Sequence, residues 1–394
     1  MNNRPDQSTI DFIRDNADGD VRTLALKSDK YPGVDMKMAL VQIEGRQKAR
    51  QKVPSWAMTE GVIYPPHLSM EQCSSEMTAI YKAEIIKRLI ADRGLMVDLT
   101  AGFGIDFYFI GREFQHAVYV ERQEVLCDVA KNNFPLLGME QTEVVCGDGI
   151  DYLNSMKRAD LIYIDPARRD SNGGRTIGIK DCTPDITQIE DVLLTKSEYT
   201  LLKLSPMLDW HQVVRDLHNV IEIHIVSVGN ECREMLAVMS DKGNDAITVS
   251  CANDNSVFSF RSDDTRIPAI ACSEDFKYLY EPNSSIMKAG CFGAISEEYD
   301  VKSVGNNSHL FVGKRLMNDF PGRKFTVNKI FSLNKRDLKE NLSGLRQANI
   351  TVRNFPITVA ELRKKLKLGD GGSVYLFATT LSDGSKAIIS CSRC

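Results

Sequence analysis

The chain has 394 residues, of which 43% are apolar and 26% are charged, and its formal net charge is −4. This length exceeds what one hydrophobic core usually supports, so we expect two or more domains. No apolar run approaches the ~18 residues of a membrane span, and the polar, acidic start of the chain is unlike a secretory signal. The composition therefore excludes a membrane protein and predicts a large globular one.

Ten cysteines are scattered along the chain. This distribution is typical of reduced thiols in the cytoplasm rather than of a disulfide framework. Only Cys391 and Cys394 form a C-x-x-C pair, and a zinc site needs a second pair or suitably spaced histidines. We therefore expect a cytoplasmic protein without a metal site.

Residues 1–90 have helical patterning. Ser8 is placed to cap a short helix, and apolar residues recur at helical spacing from Met36 to Ile43. A further helix is predicted to begin near Ser74 or Ser75 and to end at Gly94. Its predicted buried face consists of Met77, Ile80, Tyr81, Ile85, Leu89 and Ile90.

Residues 97–106, VDLTAGFGID, predict a buried strand that runs into a glycine turn, which is typical of a nucleotide-cofactor pocket in a doubly wound sheet. Gly102 and Gly104 allow a ligand to approach the backbone closely. Phe107 replaces the third glycine of G-x-G-x-x-G, which argues against an NAD-dependent dehydrogenase. Asp98 precedes the glycines and could hold an ammonium group. S-adenosylmethionine carries such a group.

Three later strands also end in acids. Glu121 closes VYVE, where a carboxylate can accept both ribose hydroxyls. Asp148 follows VVCG and is placed to accept from an adenine amino group. Asp165 and Pro166 follow LIYI, where the methyl group would be presented. Four strand-end acids in this order strengthen the prediction of an S-adenosylmethionine pocket.

These segments resemble the motifs of class I S-adenosylmethionine-dependent methyltransferases, with VDLTAGFGID as motif I, VYVERQ as motif II, VVCGDG as motif III and LIYIDPARRD as motif IV. More narrowly, YPPHLSMEQCSSE, DPARRD, GNECREM and RNFPITVAELRKKLKLGDGGSVYLFATTL resemble a bacterial family of RNA methyltransferases. Members of that family carry a ferredoxin-like segment and a THUMP-like domain after the catalytic domain. The resemblance implies methylation of an RNA base with S-adenosylmethionine as cofactor.

The resemblance also implies a set of cofactor-binding residues in motifs I to III and in the segment before the first strand. In class I methyltransferases that segment commonly folds over the cofactor, so Glu71, Gln72, Ser74 and Ser75 are candidate lid residues. Helix capping alone would also explain the serines. The full predicted set is Asp98, Thr100, Ala101, Gly102, Gly104, Asp106, Glu121, Arg122, Asp148, Gly149, Gln72 and Ser75.

Motif IV departs from the pattern of enzymes that methylate base amino groups. In those enzymes an acid and two prolines precede an aromatic residue that stacks on a flipped base. Here Asp165 and Pro166 remain, whereas Ala167 and Arg168 replace the second proline and the aromatic residue. Arg168 could stack on a base or hold a phosphate. We predict Asp165, Pro166 and Arg168 as the catalytic residues, with direct transfer to a base nitrogen that Asp165 orients.

Covalent catalysis by a cysteine is not expected. A cytosine-C5 mechanism needs a thiolate nucleophile. No cysteine lies within DPARRD or immediately after it, and we interpret Cys182 as a bystander.

The predicted fold is α/β, a Rossmann-like seven-stranded methyltransferase sheet with a helical N-terminal segment and small α+β C-terminal domains. Residues 246–260 alternate around Asn253-Asp254-Asn255, which predicts a hairpin. We expect a helical segment with a cofactor lid at 1–90, the methyltransferase domain at 91–273, a ferredoxin-like segment at 274–322 and a THUMP-like RNA-binding domain at 323–394.

The C-terminal region is strongly basic. Residues 314–367 contain fourteen Lys or Arg and four Asp or Glu, a net charge of about +10, so the rest of the chain carries about −14. We therefore expect the module that contains these residues to bind a polyanion. Phe320, Phe325, Phe331 and Phe355 are interpreted as core residues rather than stacking platforms, which favours recognition of a structured RNA by shape. The substrate could be tRNA or rRNA.

Two functional interpretations stay open at this point. The first is a cytoplasmic RNA methyltransferase. The second is a protein that binds S-adenosylmethionine and RNA without catalysis, for which the altered motif IV is the evidence.

Overall fold

The computed structural model describes residues 5–168, 178–243, 246–271 and 276–394. The chain forms two compact units. The first unit comprises residues up to 223 together with 234–245, and the second comprises 224–233 together with 246–394. Residues 246–271 therefore fold with the second unit, although the predicted methyltransferase domain extended to 273.

Helices dominate the described part of the N-terminal segment. They are α1 (Gln7–Asp15), α2 (Val21–Ala25), α3 (Met36–Lys52), α4 (Pro54–Ala57), α5 (His67–Gln72) and α6 (Glu76–Leu89), with a 3-10 turn at Ser28–Lys30. Asp6, not the predicted Ser8, caps α1, because its carboxylate accepts from the backbone N–H of Thr9 at 2.8 Å. An Asp at the N-cap satisfies one of the free N–H groups of the first turn.

Helix α6 begins where the sequence predicts but ends earlier. Ser75 is its N-cap and accepts from the backbone N–H of Thr78 at 3.3 Å. The helix ends at Leu89, so the prediction that Gly94 stops it is wrong. The backbone N–H of Gly94 instead donates to Asp160 at 2.9 Å, just before the first strand.

The predicted buried face of α6 is partly wrong. Met77 and Ile80 are exposed, whereas Thr78, Ala79, Lys82 and Ala83 are buried beside Ile85 and Ile86. The buried face therefore includes a charged side chain, which sequence periodicity alone does not predict.

In the described part of the chain the first sheet has nine strands, of which seven correspond to the predicted methyltransferase sheet. These seven strands are β1 (Leu95–Asp98), β2 (His116–Glu121), β3 (Thr142–Cys146), β4 (Ala159–Ile164), β5 (Ser197–Leu204), β6 (Val220–Val228) and β7 (Glu231–Met239). They follow the order β6-β7-β5-β4-β1-β2-β3. Strands β1 to β5 pair in parallel, and β7 pairs with β5 antiparallel. The last part of β6 and the start of β7 belong to the second unit.

Helices connect the parallel strands, as expected for crossover units. They are α7 (Ile105–Gly111), α8 (Glu124–Leu136), α9 (Gly149–Ser155), α10 (Ile186–Lys196) and α11 (Trp210–Asp216). A 3-10 turn lies at Ile179–Asp181, and Ala167–Arg168 and Cys182–Thr183 form a short antiparallel pair. The carboxyl ends of β1, β2 and β4 meet at one edge of the sheet, which brings their terminal acids together.

The N-terminal segment packs against the turn that follows β1. The ring of Trp56 is buried and lies edge-on to Phe103 of that turn, with ring centroids 5.0 Å apart. The side chain of Asn133 in α8 accepts from the backbone N–H of Ile63 and donates to the carbonyl of the same residue, both at 2.8 Å. These contacts fix residues 56–64 to the sheet.

The second unit begins with the predicted hairpin, formed by β8 (Thr248–Asn253) and β9 (Ser256–Arg261). Its C-terminal sheet follows the order β11-β12-β10-β13-β16-β15-β14. The elements are β10 (Tyr278–Pro282), α12 (Ser284–Ala289), α13 (Phe292–Glu298), β11 (Lys302–Ser303), β12 (Phe311–Gly313), β13 (Gly322–Ser332), α14 (Lys335–Leu342), β14 (Asn349–Arg353), α15 (Val359–Leu366), β15 (Val374–Thr380) and β16 (Lys386–Arg393).

The C-terminal sheet has a hydrophobic core. Phe325, Phe377 and Ile389 are buried in one cluster, and Phe331 and Leu362 are buried in another. Phe320 is also buried, and Phe355 packs against the second cluster, so the phenylalanines pack in the core as predicted. The charged residues of α14 and α15 therefore lie at the surface of this unit, and the phenylalanines lie in its core.

Within the described ranges, no helix is long and apolar enough to span a membrane.

Candidate functional site

The glycine turn after β1 depends on backbone conformations that other residues rarely adopt. Gly102 and Gly104 have φ angles of +56° and +88°. A Cβ at Gly104 would lie 2.8 Å from the ring of Phe134. The N–H of Gly102 donates to Glu121 at 3.0 Å, and the hydroxyl of Tyr119 donates to the carbonyl of Gly102. The turn is therefore held tightly against the end of β2.

Asp98 ends β1 and is almost fully buried. Its Oδ1 accepts from the backbone N–H of Thr100 at 2.9 Å, whereas the buried Oδ2 has no hydrogen-bond partner. Burial raises the pKa of Asp98 well above its usual value, and the bond from Thr100 offsets this only in part. A buried oxygen without a partner is costly, so this atom is placed to receive a donor from a ligand.

The acids at the ends of β2 and β3 have different roles within the fold. Glu121 accepts from the backbone N–H groups of Gly102 at 3.0 Å and Gln123 at 2.9 Å. Asp148 caps α9 and accepts from the N–H of Ile150 at 2.8 Å. Its Oδ2 lies 4.0 Å from the exposed guanidinium of Arg122.

Gly149 allows the chain after β3 to approach the chain after β1. A Cβ at this position would lie 2.1 Å from the carbonyl oxygen of Leu99. Thr100 fixes the end of β4, because its hydroxyl accepts from the backbone N–H of Asp165 at 2.7 Å. Ala101 continues the turn, with its N–H bonded to the carbonyl of Val120 at 3.1 Å.

Asp106 lies in a buried ion network rather than at an open position. Its Oδ1 lies 3.0 Å from Nζ of Lys82, and its Oδ2 accepts from the hydroxyls of Ser74 at 2.6 Å and Tyr163 at 2.7 Å. The Lys82 ammonium is fully buried and also lies 2.6 Å from Glu234. It donates to Ser74 at 3.4 Å. Its three N–H donors therefore face three oxygen partners.

Lys203 extends this network to the end of β4. Its Nζ donates to Oδ2 of Asp165 at 2.7 Å and lies 3.8 Å from Oδ2 of Asp106. Ile164 pairs with Leu202 in the sheet, which sets Asp165 level with Lys203 on the neighbouring strand. We call Lys82, Asp106, Asp165, Lys203 and Glu234 the buried ion network.

Electrostatics hold Asp106 and Lys203 in fixed charge states. Burial would raise the pKa of Asp106, but the ammonium groups of Lys82 and Lys203 hold it at about 2. Burial would lower the pKa of Lys203, but Asp165 and Asp106 raise it above its usual value. Burial raises the pKa of Glu234, against the opposing effect of Lys82. Lys203 therefore remains an ammonium and Asp106 a carboxylate at neutral pH.

The structure brings together most, but not all, of the predicted site residues. Gln72 is exposed at the end of α5, and Ser75 acts as a helix cap. Pro166 and Cys182 are buried. Arg168 is described only as backbone in a two-residue strand, and residues 169–177 of motif IV and its following loop lie outside the described ranges. The roles of these residues stay predictions.

Sequence reasoning missed Lys82, Lys203, Glu234 and Tyr163. The available signal was a charged residue inside an apolar run, as in YTLLKL for Lys203 and MTAIYKAEII for Lys82. Such residues are rarely buried unless they are paired. Their partners are far apart along the chain, which hides the pairing from a linear pattern.

The strand order, the glycine turn and the strand-end acids together define a class I methyltransferase fold, whose cofactor is S-adenosylmethionine. Among the residues that the structure describes, no group of three or more His, Cys, Asp or Glu side chains is arranged to hold a metal ion.

Comparisons with known proteins agree with this class. A ferredoxin-like domain family matches residues 278–321, and a THUMP domain-like family matches residues 322–393. A candidate methyltransferase from Porphyromonas gingivalis W83 is similar, with 31% identity, coverage of 97% of this chain and 96% of that chain, and a TM-score of 0.85. This chain belongs to the same protein family. The resemblance to methyltransferases with ferredoxin-like and THUMP-like segments is thereby confirmed.

Two more distant structures match less than half of this chain. A candidate RNA methyltransferase from Pyrococcus horikoshii is 13% identical over 48% of this chain and 97% of that chain, with a TM-score of 0.35. The tRNA m1G37 methyltransferase of M. jannaschii is 13% identical over 43% of this chain and 52% of that chain, with a TM-score of 0.30. A search of curated proteins found no match.

We predict that Lys82→Met destabilises the protein by about 3–5 kcal/mol, because it leaves the buried Glu234 carboxylate without its ammonium partner. Lys87→Met, on the same helix, removes only surface ion pairs with Glu84 and Glu113 and should cost less than about 1 kcal/mol. Urea unfolding of both variants measures the difference. Equal, small losses in both would contradict a structural role for the network.

Proposed function

We propose that the protein transfers the methyl group of S-adenosylmethionine to a base nitrogen of a structured RNA, such as tRNA or rRNA. The observation that carries the proposal is the carboxyl edge of the sheet. There the partnerless buried oxygen of Asp98 lies beside the glycine turn, and Asp165 follows the neighbouring strand β4.

The chain's own residues suit the cofactor. Oδ2 of Asp98 would accept from the ammonium group, which would satisfy the buried atom that the protein leaves without a partner. Gly102 and Gly104 keep the turn open to a close ligand. Glu121 and Asp148 would accept from the ribose hydroxyls and the adenine amino group, with Arg122, Gly149, Thr100 and Ala101 lining the same loops. Asp106 would act indirectly, through its bonds to α6 and Tyr163.

Asp165 would orient the nucleophile. The cofactor supplies a methyl group on a sulfonium. The Oδ2 of Asp165 is held by Lys203, and its backbone is held by Thr100, so the carboxylate has a fixed direction. The side chain is 39% exposed, which leaves Oδ1 available to accept a hydrogen from the target. Orientation of this kind requires no covalent attack by the protein.

The basic face of the second unit would bind RNA. Its exposed cations lie on α14, on α15 and in the turns beside them: Lys335, Arg336, Lys339, Arg346, Lys364, Lys365 and Lys367. Arg323 and Arg353 are instead paired with Glu281, and Arg363 with Asp370. Since phosphate contacts supply much of sequence-independent RNA affinity, this face suits a folded RNA backbone. It falls within the segment that matches the THUMP domain-like family.

Asp98→Asn should weaken the binding of S-adenosylmethionine by about tenfold or more, because a charge-assisted bond to the ammonium is lost. The raised pKa of Asp98 adds a pH effect. As the pH falls below that raised pKa, the carboxyl protonates in the free protein, so wild-type affinity should fall. Titration calorimetry across a pH series measures both effects. Asp92→Asn, at an exposed position before β1, is the control, and an unchanged affinity in Asp98→Asn would contradict the assignment.

Asp165→Ala should lower methyl transfer by about 10²–10³-fold while leaving cofactor binding nearly unchanged, because one preorganised polar contact is removed. Cys182→Ser should have little effect. Transfer of tritiated methyl groups to RNA from cells that lack the gene is the measurement. Full activity in Asp165→Ala would reject the role of Asp165. Binding of cofactor and RNA without transfer to any RNA would favour the non-catalytic alternative.

Replacing Lys335, Lys339, Lys364 and Lys365 with Glu should lower RNA affinity by at least about tenfold at low salt and flatten its salt dependence. Gel-shift titrations at several salt concentrations measure this. Charge reversal is preferable to deletion of residues 323–394, because β13 pairs with β10 in the same sheet.

The matched control carries the same four charge reversals on exposed lysines of the first unit, Lys27, Lys30, Lys37 and Lys157. It changes the net charge by the same amount. If both variants lose RNA affinity equally, binding depends on overall charge and not on the basic face.

A further inference from the structure

The pair formed by Asp165 and Lys203 presents an acceptor and a donor side by side. Asp165 uses Oδ2 for Lys203, at 2.7 Å. The Lys203 ammonium has three N–H donors, of which one is directed to Asp165 and another faces Asp106 at the longer distance of 3.8 Å. Its side chain keeps 15% of its surface exposed. A substrate atom beside Asp165 would therefore also face this cation.

Lys82 shows by contrast that this arrangement is particular to Lys203. The Lys82 ammonium faces Asp106, Glu234 and Ser74 and has no exposed surface. It can support the network but cannot reach a substrate. Lys203 has the same charge, fewer close partners and a more open position.

The sign of the charge at this position discriminates between nucleophiles. An exocyclic amine, or a ring nitrogen with a lone pair, becomes positive as it takes up the methyl group, and a neighbouring ammonium opposes that change. A lactam N–H or a hydroxyl instead becomes negative as it loses its proton, and the same ammonium stabilises it. Guanine N1 and uracil N3 lie next to a carbonyl oxygen that can accept from a lysine.

We propose that Lys203 contacts the substrate, and that the group methylated is a weakly acidic N–H or O–H: a lactam ring nitrogen of guanine or uracil, or a ribose 2′-hydroxyl. This inference rests on the proposed transfer of methyl groups to RNA. Both groups share one chemistry, an anionic conjugate base next to a hydrogen-bond acceptor.

The step balances in atoms and charge. The electron pair of the target nitrogen or oxygen forms the new bond to the methyl carbon, while the carbon–sulfur bond breaks and its electron pair neutralises the sulfonium. The proton of the target passes to Oδ1 of Asp165 and then to solvent. Lys203 donates to the adjacent oxygen and lowers the free energy of the developing anion. The flanking carboxylates keep Lys203 protonated throughout, because they raise its pKa.

The decisive measurement uses the wild-type protein. RNA from cells lacking the gene is methylated in vitro, and the modified nucleosides are identified by mass spectrometry with standards. We expect 1-methylguanosine or 3-methyluridine, which would support both the proposed function and this inference. A 2′-O-methylnucleoside would support the inference about Lys203 but contradict the proposed transfer to a base nitrogen, and the standards distinguish these products. Methyl groups on the amino groups of adenine, cytosine or guanine, on adenine N1 or on cytosine N3 would overturn the inference while leaving the proposed function intact. Absence of transfer to any RNA would overturn both.

Variants of Lys203 provide a second, independent readout. Lys203→Met should lower kcat by about 10²–10³-fold, with cofactor affinity retained in calorimetry, and Lys203→Arg should recover part of the loss. The rate of Lys203→Met should rise with pH beyond the range in which wild type has reached its plateau, because solvent must then form the anion unaided. A purely structural role would lower the rate equally at every pH.

The pH profile must be read against the other groups that face Lys203. They are Asp165 after β4, Asp106 on α7, Glu234 on β7 and the Cys73 thiol before α6. Lys82 lies at Oδ1 of Asp106, and the Tyr163 hydroxyl donates to its Oδ2. Lys242→Met is the matched control, because Lys242 is an exposed lysine paired with Glu198, and its profile should equal that of wild type. Equal profiles for Lys203→Met and wild type would contradict a contact with the substrate.

Discussion

The buried ion pair between Lys82 and Asp106 is the interaction on which the rest of the first unit depends. Removing two charges from water costs several kcal/mol per ion, and only good geometry with further hydrogen bonds compensates for that cost. Here α6 supplies Lys82, α7 supplies Asp106, β4 supplies Tyr163, β5 supplies Lys203 and β7 supplies Glu234. Five elements must therefore be in place before the charges are satisfied. The network stabilises one arrangement of these five elements and strongly disfavours other arrangements of them.

Two buried carboxylates near the glycine turn show how environment separates roles. Asp106 forms an ion pair with Lys82 and accepts hydrogen bonds from Ser74 and Tyr163, and its pKa is held at about 2. Asp98 has one oxygen without a partner, and burial raises its pKa. The first carboxylate is thus fully used by the fold, whereas the second is destabilised in the ligand-free protein and gains most from a bound cation. A sequence pattern treats both as motif I acids, yet only their surroundings distinguish a structural group from a binding group.

The sequence predicts the fold well because buried parallel strands are continuous apolar runs, and the runs ending at Asp98, Glu121 and Ile164 are strands in the structure. It also predicts the strand-end acids, since parallel strands end at one edge of the sheet. It misses Lys82 and Lys203, because a lysine in an apolar run gains a buried role only through partners distant in the chain. Likewise the cap at Asp6 and the end of α6 at Leu89 are decided by local hydrogen bonds that residue preferences do not resolve.

Charge is distributed unevenly between the second unit and the rest of the chain. The basic stretch of the second unit carries about +10, and the remainder of the chain carries about −14, a distribution that suits the proposed binding of RNA to one region. The buried ion network combines three acidic side chains, Asp106, Asp165 and Glu234, with two lysines, Lys82 and Lys203. Among the side chains that the structure describes, Lys203 places positive charge beside Asp165 at a partly open position. Under this proposal, an RNA held by its phosphates would meet a cation where the target loses its proton, and the same charge that stabilises that anion would oppose the methylation of an amine.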